Sequence, residues 1–176
     1  MLGGLKMRHL IATAASLLTC LLVVPAGSSE EETSVKPKQQ VEELMNEGIA
    51  FAERMLREHG EFFPFGIVRK SDGSIQHVGA WDGREQPPST DLIELLNQGF
   101  RTGADSGEYV ATAIFFDVLT TPPGSSAKTD AVQVGLEHRS GYCVNVFFLY
   151  SRSPDGVVEF GELFASKREG SVFNCS

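Results

Sequence analysis

The sequence predicts an α+β domain in which two helices pack on one face of a mainly antiparallel sheet of about six strands. Two segments of the 176-residue chain repeat apolar residues every three or four positions, which is the spacing of an amphipathic helix. Six shorter segments are rich in β-branched and aromatic residues and are separated by turn sequences or by the second helix. The predicted order is αββαββββ, and its hairpin links favour a two-layer sandwich.

The first helix is predicted from about Lys38 to His59, and Gly60 supplies the left-handed residue that ends it. Charged residues fill one side, and the apolar stripe on the other consists of Val41, Leu44, Met45, Gly48, Ile49, Ala52, Met55 and Leu56. The second helix is predicted to begin with Ser89 or Thr90 as its cap and to end near Gly103. Its apolar face consists of Leu92, Ile93, Leu95, Leu96 and Phe100.

Strands are predicted at residues 62–70, 75–81, 108–119, 131–138, 142–151 and 157–165. The turn Ser71-Asp72-Gly73-Ser74 joins the first pair, and Ser140-Gly141 joins the fourth and fifth strands. Pro64 cannot donate a hydrogen bond to a neighbouring strand, which indicates an edge or a bulge there. Residues 108–119 are apolar at nearly every position, so we expect this strand to be central and covered on both faces.

The first 26 residues have the three-part pattern of a secretory signal peptide. Lys6 and Arg8 give a positive start, residues 10–24 are apolar and uncharged, and small residues precede a cleavage site after Ala26. The apolar run is shorter than the roughly 20 residues of a membrane-spanning helix, which favours a removed signal over an uncleaved anchor. A lipoprotein with a lipidated Cys20 is a further alternative. The sequence therefore predicts a periplasmic or secreted protein with no membrane span in its mature form.

The remaining chain is predicted to be one acidic domain. Residues 27–37 are polar and small and are predicted to form a disordered linker, residues 38–167 the domain, and residues 168–176 a tail. The full chain has a net charge of −8, and because residues 1–26 carry two basic and no acidic residues, the mature chain has a net charge of −10. An acidic domain repels nucleic acid and anionic lipid, so neither is an expected partner.

Two cysteines, Cys143 and Cys175, remain after cleavage. An even number outside the cytoplasm indicates a disulfide, which would tether the tail to a central strand. Its long loop would stabilise the fold by about 3–4 kcal/mol. The alternative is two unpaired thiols, because the sequence does not give the distance between the two Cα atoms.

His138 and Cys143 are the candidate catalytic pair. If Ser140 and Gly141 are the two turn residues, His138 faces Cys143 with the Cβ atoms about 5 Å apart, close enough for the imidazole to generate a thiolate. Glu137 is an alternative acid–base partner of His138. A register slip of one residue would separate His138 from Cys143, and a disulfide would consume the thiol. No motif of a known enzyme class or cofactor site occurs in the chain.

Metal-ligand residue types occur without a diagnostic spacing, so the sequence predicts no metal site. These residues are His77, Asp82, Asp130, Glu137 and His138.

Two loops, at residues 82–88 and 120–130, are the candidate binding surfaces. The second has 11 residues, which is long for a connection between strands, and long loops on a rigid scaffold are often functional. An ordered loop that only covers the sheet edge is the alternative. The candidate binding residues are Asp82, Arg84, Thr121, Lys128 and Asp130. The predicted function is a non-catalytic module that binds an unknown protein or small ligand, and the alternative is a small hydrolase or thiol-dependent enzyme that uses His138 with Cys143 or Glu137.

Five stretches between Gly60 and Lys167 resemble a family of small uncharacterised bacterial proteins. They are GEFFPFG at 60–66, HVGAWDG at 77–83, PPS at 87–89, FDVLTTPPGSSAKTDAVQVGLEH at 116–138 and FGELFA at 160–165. The family has no established activity, so the resemblance implies a bacterial origin but no catalytic residue. Its members are cytoplasmic as often as exported, and the expected location therefore rests on residues 1–26.

Overall fold

The computed structural model describes the backbone of residues 29–175 and the side chains of residues 36–175. Two helices and six strands follow one another in the predicted order. The elements are α1 (Ser29–His59), β1 (Phe65–Lys70), β2 (Ile75–Gly79), α2 (Ser89–Asp105), β3 (Tyr109–Thr120), β4 (Thr129–His138), β5 (Cys143–Arg152) and β6 (Val158–Lys167). The predicted α+β class and the element order are confirmed. The predicted signal peptide lies outside the described residues.

The strands form one antiparallel sheet in the order β2-β1-β3-β4-β5-β6. Phe65 of β1 lies opposite Phe115 of β3, and the two rings stack with centroids 4.7 Å apart. β3 is buried from Val110 to Phe115, on both faces of the sheet. The prediction of a central strand covered on both sides is therefore confirmed.

The two helices pack on opposite faces of the sheet, so the prediction that both lie on one face is wrong. Ile67 and Phe115 pack in a core cluster with the buried residues of α1. Their chain neighbours Val68 and Ile114 pack instead with Phe100 of α2. Because adjacent side chains of a strand point to opposite faces, the two helices lie on opposite sides. A strand that is apolar at every position does not reveal which helix covers which face.

Helix α1 is longer than predicted. It begins at Ser29 rather than near Lys38, so helical backbone extends through most of the segment predicted to be a disordered linker, and Pro37 lies inside it. The polar composition suggested disorder, but glutamate and lysine are also good helix formers. Within the predicted apolar stripe, Val41, Leu44, Ala52 and Leu56 are fully buried.

Helix α2 begins at Ser89, and its N-cap residue is Pro88. The carbonyl of Pro88 accepts a hydrogen bond from the backbone N–H of Asp91 at 3.0 Å. No side-chain hydrogen bond caps the helix, so the predicted cap by Ser89 or Thr90 is wrong.

The C-terminal segment, residues 168–175, lies on the same face as α2 and covers parts of β4 and β5. Arg168 reaches across this face to the carboxamide of Asn145, its Nη1 lying 3.0 Å from the side-chain oxygen. A Cβ atom at Gly135 would overlap the Arg168 guanidinium, so the missing side chain makes room for it. Arg101 of α2 donates to the carbonyl of Ser171 at 3.1 Å, which ties the segment to the helix.

Candidate functional site

A cleft of about 480 Å³ lies between residues 36–40 of α1 and one end of the sheet. Lys36 and Gln40 of α1 form one wall, and the turn after β1 and the end of β4 form the other. β1 and β4 are both antiparallel neighbours of β3, so their C-terminal ends lie at the same end of the sheet. The backbone N–H of Arg139 donates to the carbonyl of Val110 at 3.0 Å, which joins the turn after β4 to the start of β3.

Positive charge is concentrated in this cleft, although the chain as a whole has a net charge of −8. Two of its cations are offset by carboxylates: Arg69 pairs with Glu43 of α1, and Lys70 Nζ lies 3.0 Å from Glu108 Oε1. Among the side chains that the structure describes, no carboxylate forms an ion pair with the other two cations, Lys36 and Arg139. The four cations that line the cleft are Lys36, Arg69, Lys70 and Arg139.

Arg69 connects α1 to the β1–β2 turn at the base of this cleft. Its Nη1 donates to the carbonyl of Gly73 at 3.0 Å, and its Nη2 donates to Glu43. The side chain is 11% exposed, and its Nε is buried without a hydrogen-bond partner. Buried donors are nearly always paired in folded proteins, so this N–H group is an exception.

His138 is held in one neutral tautomer. The backbone N–H of Ser140 donates to Nδ1 at 3.0 Å, so Nδ1 carries the lone pair. The proton therefore lies on Nε2, which donates to Gln40 Oε1 at 2.9 Å. Burial lowers the pKa of His138, and the positive charges of Arg139 and Arg69 lower it further. His138 is thus a neutral residue whose two ring nitrogens are both engaged.

The predicted pairing of His138 with Cys143 is wrong by one residue. Cys143 lies opposite Glu137, and the β4–β5 turn has three residues, 139–141, instead of two. The N–H of His138 donates to the carbonyl of Tyr142 at 2.9 Å, and Gly141 adopts a φ of 92°, as such a turn requires. The side chains of His138 and Cys143 therefore project from opposite faces of the sheet.

Glu137 is fully buried on the face that carries α2 and the C-terminal segment. Its carboxylate accepts hydrogen bonds from Arg168 Nε at 2.8 Å and from the Ser171 hydroxyl at 2.9 Å. It also accepts hydrogen bonds from the backbone N–H groups of three consecutive residues, Ser171, Val172 and Phe173. Burial raises the pKa of Glu137, but the three backbone N–H groups and the charge of Arg168 together outweigh it, and the net pKa is lowered.

Cys143 forms a disulfide with Cys175, with the two Cα atoms 5.6 Å apart, so the predicted bridge is confirmed. The two sulfur atoms and a Glu137 oxygen lie within 4.8 Å of one another. Sulfur and carboxylate oxygen atoms are metal ligands in other proteins. In a disulfide neither sulfur is a thiolate, and the thiolate is the metal ligand and the nucleophile. With the Glu137 oxygens already accepting five donors, this cluster holds the C-terminal segment on the sheet.

The metal-ligand types named from the sequence are dispersed over the fold. His77 Nε2 lies 2.6 Å from Glu47 Oε1 of α1, and His138 contacts Gln40 on that same side of the sheet. Glu137 projects from the other face. Asp82 and Asp130 lie at the opposite end of the sheet from His138.

The two predicted binding loops lie at the end of the sheet away from the cleft. Arg84 Nε donates to Asp82 Oδ2 at 2.7 Å, and its Nη2 donates to Asp91 Oδ2 at 2.6 Å, which ties the 82–88 loop to the start of α2. The hydrogen bond from Arg84 lowers the pKa of Asp82. The connection between β3 and β4 comprises residues 121–128, so it is shorter than the predicted 11 residues, and Asp130 lies in β4. Thr121, Lys128 and Asp130 are exposed. Their role in binding stays a prediction.

Comparison of the chain with protein-family models, with curated proteins and with solved structures gives no match. The resemblance to a bacterial family therefore stays a prediction. Sequence reasoning missed the cleft, whose cations at the strand ends are Arg69 and Lys70, the last two residues of β1, and Arg139, which follows β4. Their positions at the ends of two predicted strands were visible, but the strand order that brings them together was not.

Proposed function

We propose that this chain is an exported, non-catalytic binding module that holds a small ligand in the cleft between α1 and the end of β4. The observation that carries the proposal is the cleft itself, which is built from four separate segments of the chain. Its volume of about 480 Å³ lies within the usual range for small-molecule sites. Arg69 and His138, which line it, are held in place by hydrogen bonds to Gly73, Gln40 and Ser140.

The contacts of the candidate catalytic residues favour binding over catalysis. His138 uses both ring nitrogens to join α1 to the β4–β5 turn. Glu137 is occupied by donors from the C-terminal segment, and Cys143 is bonded to Cys175. A thiol titration of the native protein tests the alternative of a thiol enzyme: a reactive thiol of low pKa would support it, and two oxidised cysteines would exclude the nucleophile.

Export is the second part of the proposal. The pattern of residues 1–26 supports it, and disulfides persist mainly in oxidising compartments outside the cytoplasm. Within residues 29–175, no helix is both long and apolar enough to cross a membrane. Expression with the native leader in a bacterial host, followed by fractionation and intact-mass measurement, tests export. We expect a chain that starts at Gly27 in the periplasm or medium, and a full-length cytosolic chain would contradict it.

A ligand screen tests the binding site. Small molecules of positive, negative and zero net charge are added to the protein, and those that raise its thermal midpoint are titrated into ¹⁵N-labelled protein. We expect the amide signals of Gly73, Arg139 and Ser140 to move most. Stabilising compounds that move only signals of the 82–88 and 120–130 loops, or no stabilising compound in the whole set, would overturn the assignment to the cleft.

A further inference from the structure

We infer that the cleft ligand is a small organic anion that carries carboxylate or phosphate groups. The inference rests on the proposed binding function and adds the chemical class of the ligand. The cleft contains four cationic side chains, and a chain with an excess of acidic residues has gathered them at one end of its sheet. Concave sites lined by one sign of charge raise the local concentration of ligands of the opposite sign.

Among the side chains that the structure describes, the cations that line the cleft outnumber the carboxylates that form ion pairs with them. Glu43 and Glu108 offset Arg69 and Lys70, so these two cations are already paired. Lys36 and Arg139 extend the positive lining beyond these pairs, one from α1 and the other from the turn after β4. An oxyanion placed between these two side chains would supply a counter-charge to both.

Arg69 provides a second, independent observation. It is the most deeply buried cation of the cleft, and its Nε lacks a hydrogen-bond partner. A buried guanidinium with one unused donor retains capacity for an acceptor, and carboxylates and phosphates are the acceptors that arginine binds best.

His138 contributes to the site without supplying charge. Its proton points to Gln40, and its lone pair accepts the N–H of Ser140, so it fixes the separation of α1 from the β4–β5 turn. Lys36 lies one helical turn before Gln40 on α1, and Arg139 lies between His138 and Ser140. His138 therefore joins the two walls of the cleft that carry these cations.

The volume of the cleft favours a small ligand over a polymer. About 480 Å³ accommodates a molecule the size of a tricarboxylic acid or a sugar phosphate. The net negative charge of the chain disfavours extended acidic chains, because the rest of the protein would repel them.

Calorimetric titration with citrate, inorganic phosphate, glucose, spermidine and poly-glutamate tests the inference. We expect citrate or phosphate to bind, with affinity falling as sodium chloride rises from about 50 to about 500 mM because salt screens the charges. Glucose and spermidine should not bind. Binding of poly-glutamate in preference to citrate would replace the small anion with an acidic polymer and overturn the inference.

Charge-removing variants locate the site. Lys36→Gln and Arg139→Gln alter exposed side chains, so the fold should survive, and each should weaken anion binding about tenfold. Arg57→Gln removes a matched exposed charge near the C-terminal end of α1, away from the cleft, and should leave the affinity unchanged. Equal affinity in all three variants, or a loss only in Arg57→Gln, would contradict the inference.

The two proposals fail in different ways. If a neutral or cationic ligand from the screen shifts the amide signals of Gly73, Arg139 and Ser140, the cleft is a binding site but the anion assignment is wrong. If neither the anions nor any screened compound affects these signals, both the ligand class and the proposed binding function fail.

Discussion

Glu137 and Cys143 lie directly opposite each other on β4 and β5, beneath the C-terminal segment. From this one register position the carboxylate accepts the backbone N–H groups of residues 171–173, and the sulfur bonds to Cys175. A buried ionic network and a covalent bond thus fasten the same eight-residue segment, 168–175, to the sheet. Two residues that were candidates for catalysis in the sequence therefore anchor this segment.

Replacing Glu137 with glutamine should destabilise the protein by about 3–5 kcal/mol. The substitution keeps the side-chain shape but leaves Arg168, which is 11% exposed, without its buried counter-charge. It also places the N–H₂ group of the amide, which is a donor, against backbone N–H groups that are donors themselves. The free energy of unfolding, measured by urea denaturation, reports the effect. Glu159→Gln, on the exposed side of β6, is the matched control and should change it by less than about 0.5 kcal/mol.

Glu137 should also make the fold sensitive to acid. Its pKa in the folded protein lies below its ordinary value of 4.5, so its contribution to stability is present above pH 4.5 and is lost as the pH falls through the folded pKa. Glu137→Gln should lack this part of the acid dependence. Parallel pH profiles of the variant and the wild type, with the same slope below pH 4.5, would refute the role of the carboxylate.

Reduction of the Cys143–Cys175 disulfide should lower the free energy of unfolding by about 3–4 kcal/mol. The intact bond closes a loop over a sequence separation of 32 residues and so restricts the unfolded chain. Cys175→Ser should lose a similar amount and should no longer respond to reductant. Hydrogen exchange of the Ser171, Val172 and Phe173 amides should accelerate in both cases. Unchanged exchange would mean that Glu137 alone holds the segment.

Two glycine-to-alanine substitutions, one in each helix, should have opposite effects on stability. A Cβ atom at Gly48 would overlap the ring of Phe115, so Gly48→Ala should cost about 1–3 kcal/mol despite the better helix propensity of alanine. A Cβ atom at Gly99 of α2 would meet no neighbouring element within 4 Å, so Gly99→Ala should stabilise the protein by about 0.5–1 kcal/mol. Thermal unfolding distinguishes the two, and a stabilising Gly48→Ala would contradict the placement of α1.

His138 should give a second pH dependence, separate from that of Glu137. Its pKa is lowered in the folded protein, so the stability that the neutral ring contributes is complete above its ordinary value of 6.5 and declines as the pH falls from there toward the folded pKa. His138→Gln should flatten the stability profile just below pH 6.5. His59→Gln, at an exposed position, is the matched control.

Much of the fold could be predicted because apolar spacing and turn residues are local signals. The strands begin and end within a few residues of their predicted limits, and the apolar run of β3 correctly indicated a central strand. The faces of the two helices could not be predicted, since Ile67 and Val68 are equally apolar although they face different helices.

The site was harder to predict because it depends on register and strand order. Ser140-Gly141 suggested a two-residue turn, but the left-handed Gly141 closes a three-residue turn, and that one residue moves Cys143 to the face opposite His138. The cations of the cleft come together only because β1 and β4 both neighbour β3. No local pattern around Arg69 or Arg139 reveals this arrangement.

A crystal structure of the protein with citrate would show whether the cleft binds a small anion. We expect density for the anion between Lys36 and Arg139, near the Nε of Arg69. Citrate bound at the 82–88 or 120–130 loops, or an empty cleft in crystals grown at saturating citrate, would contradict it.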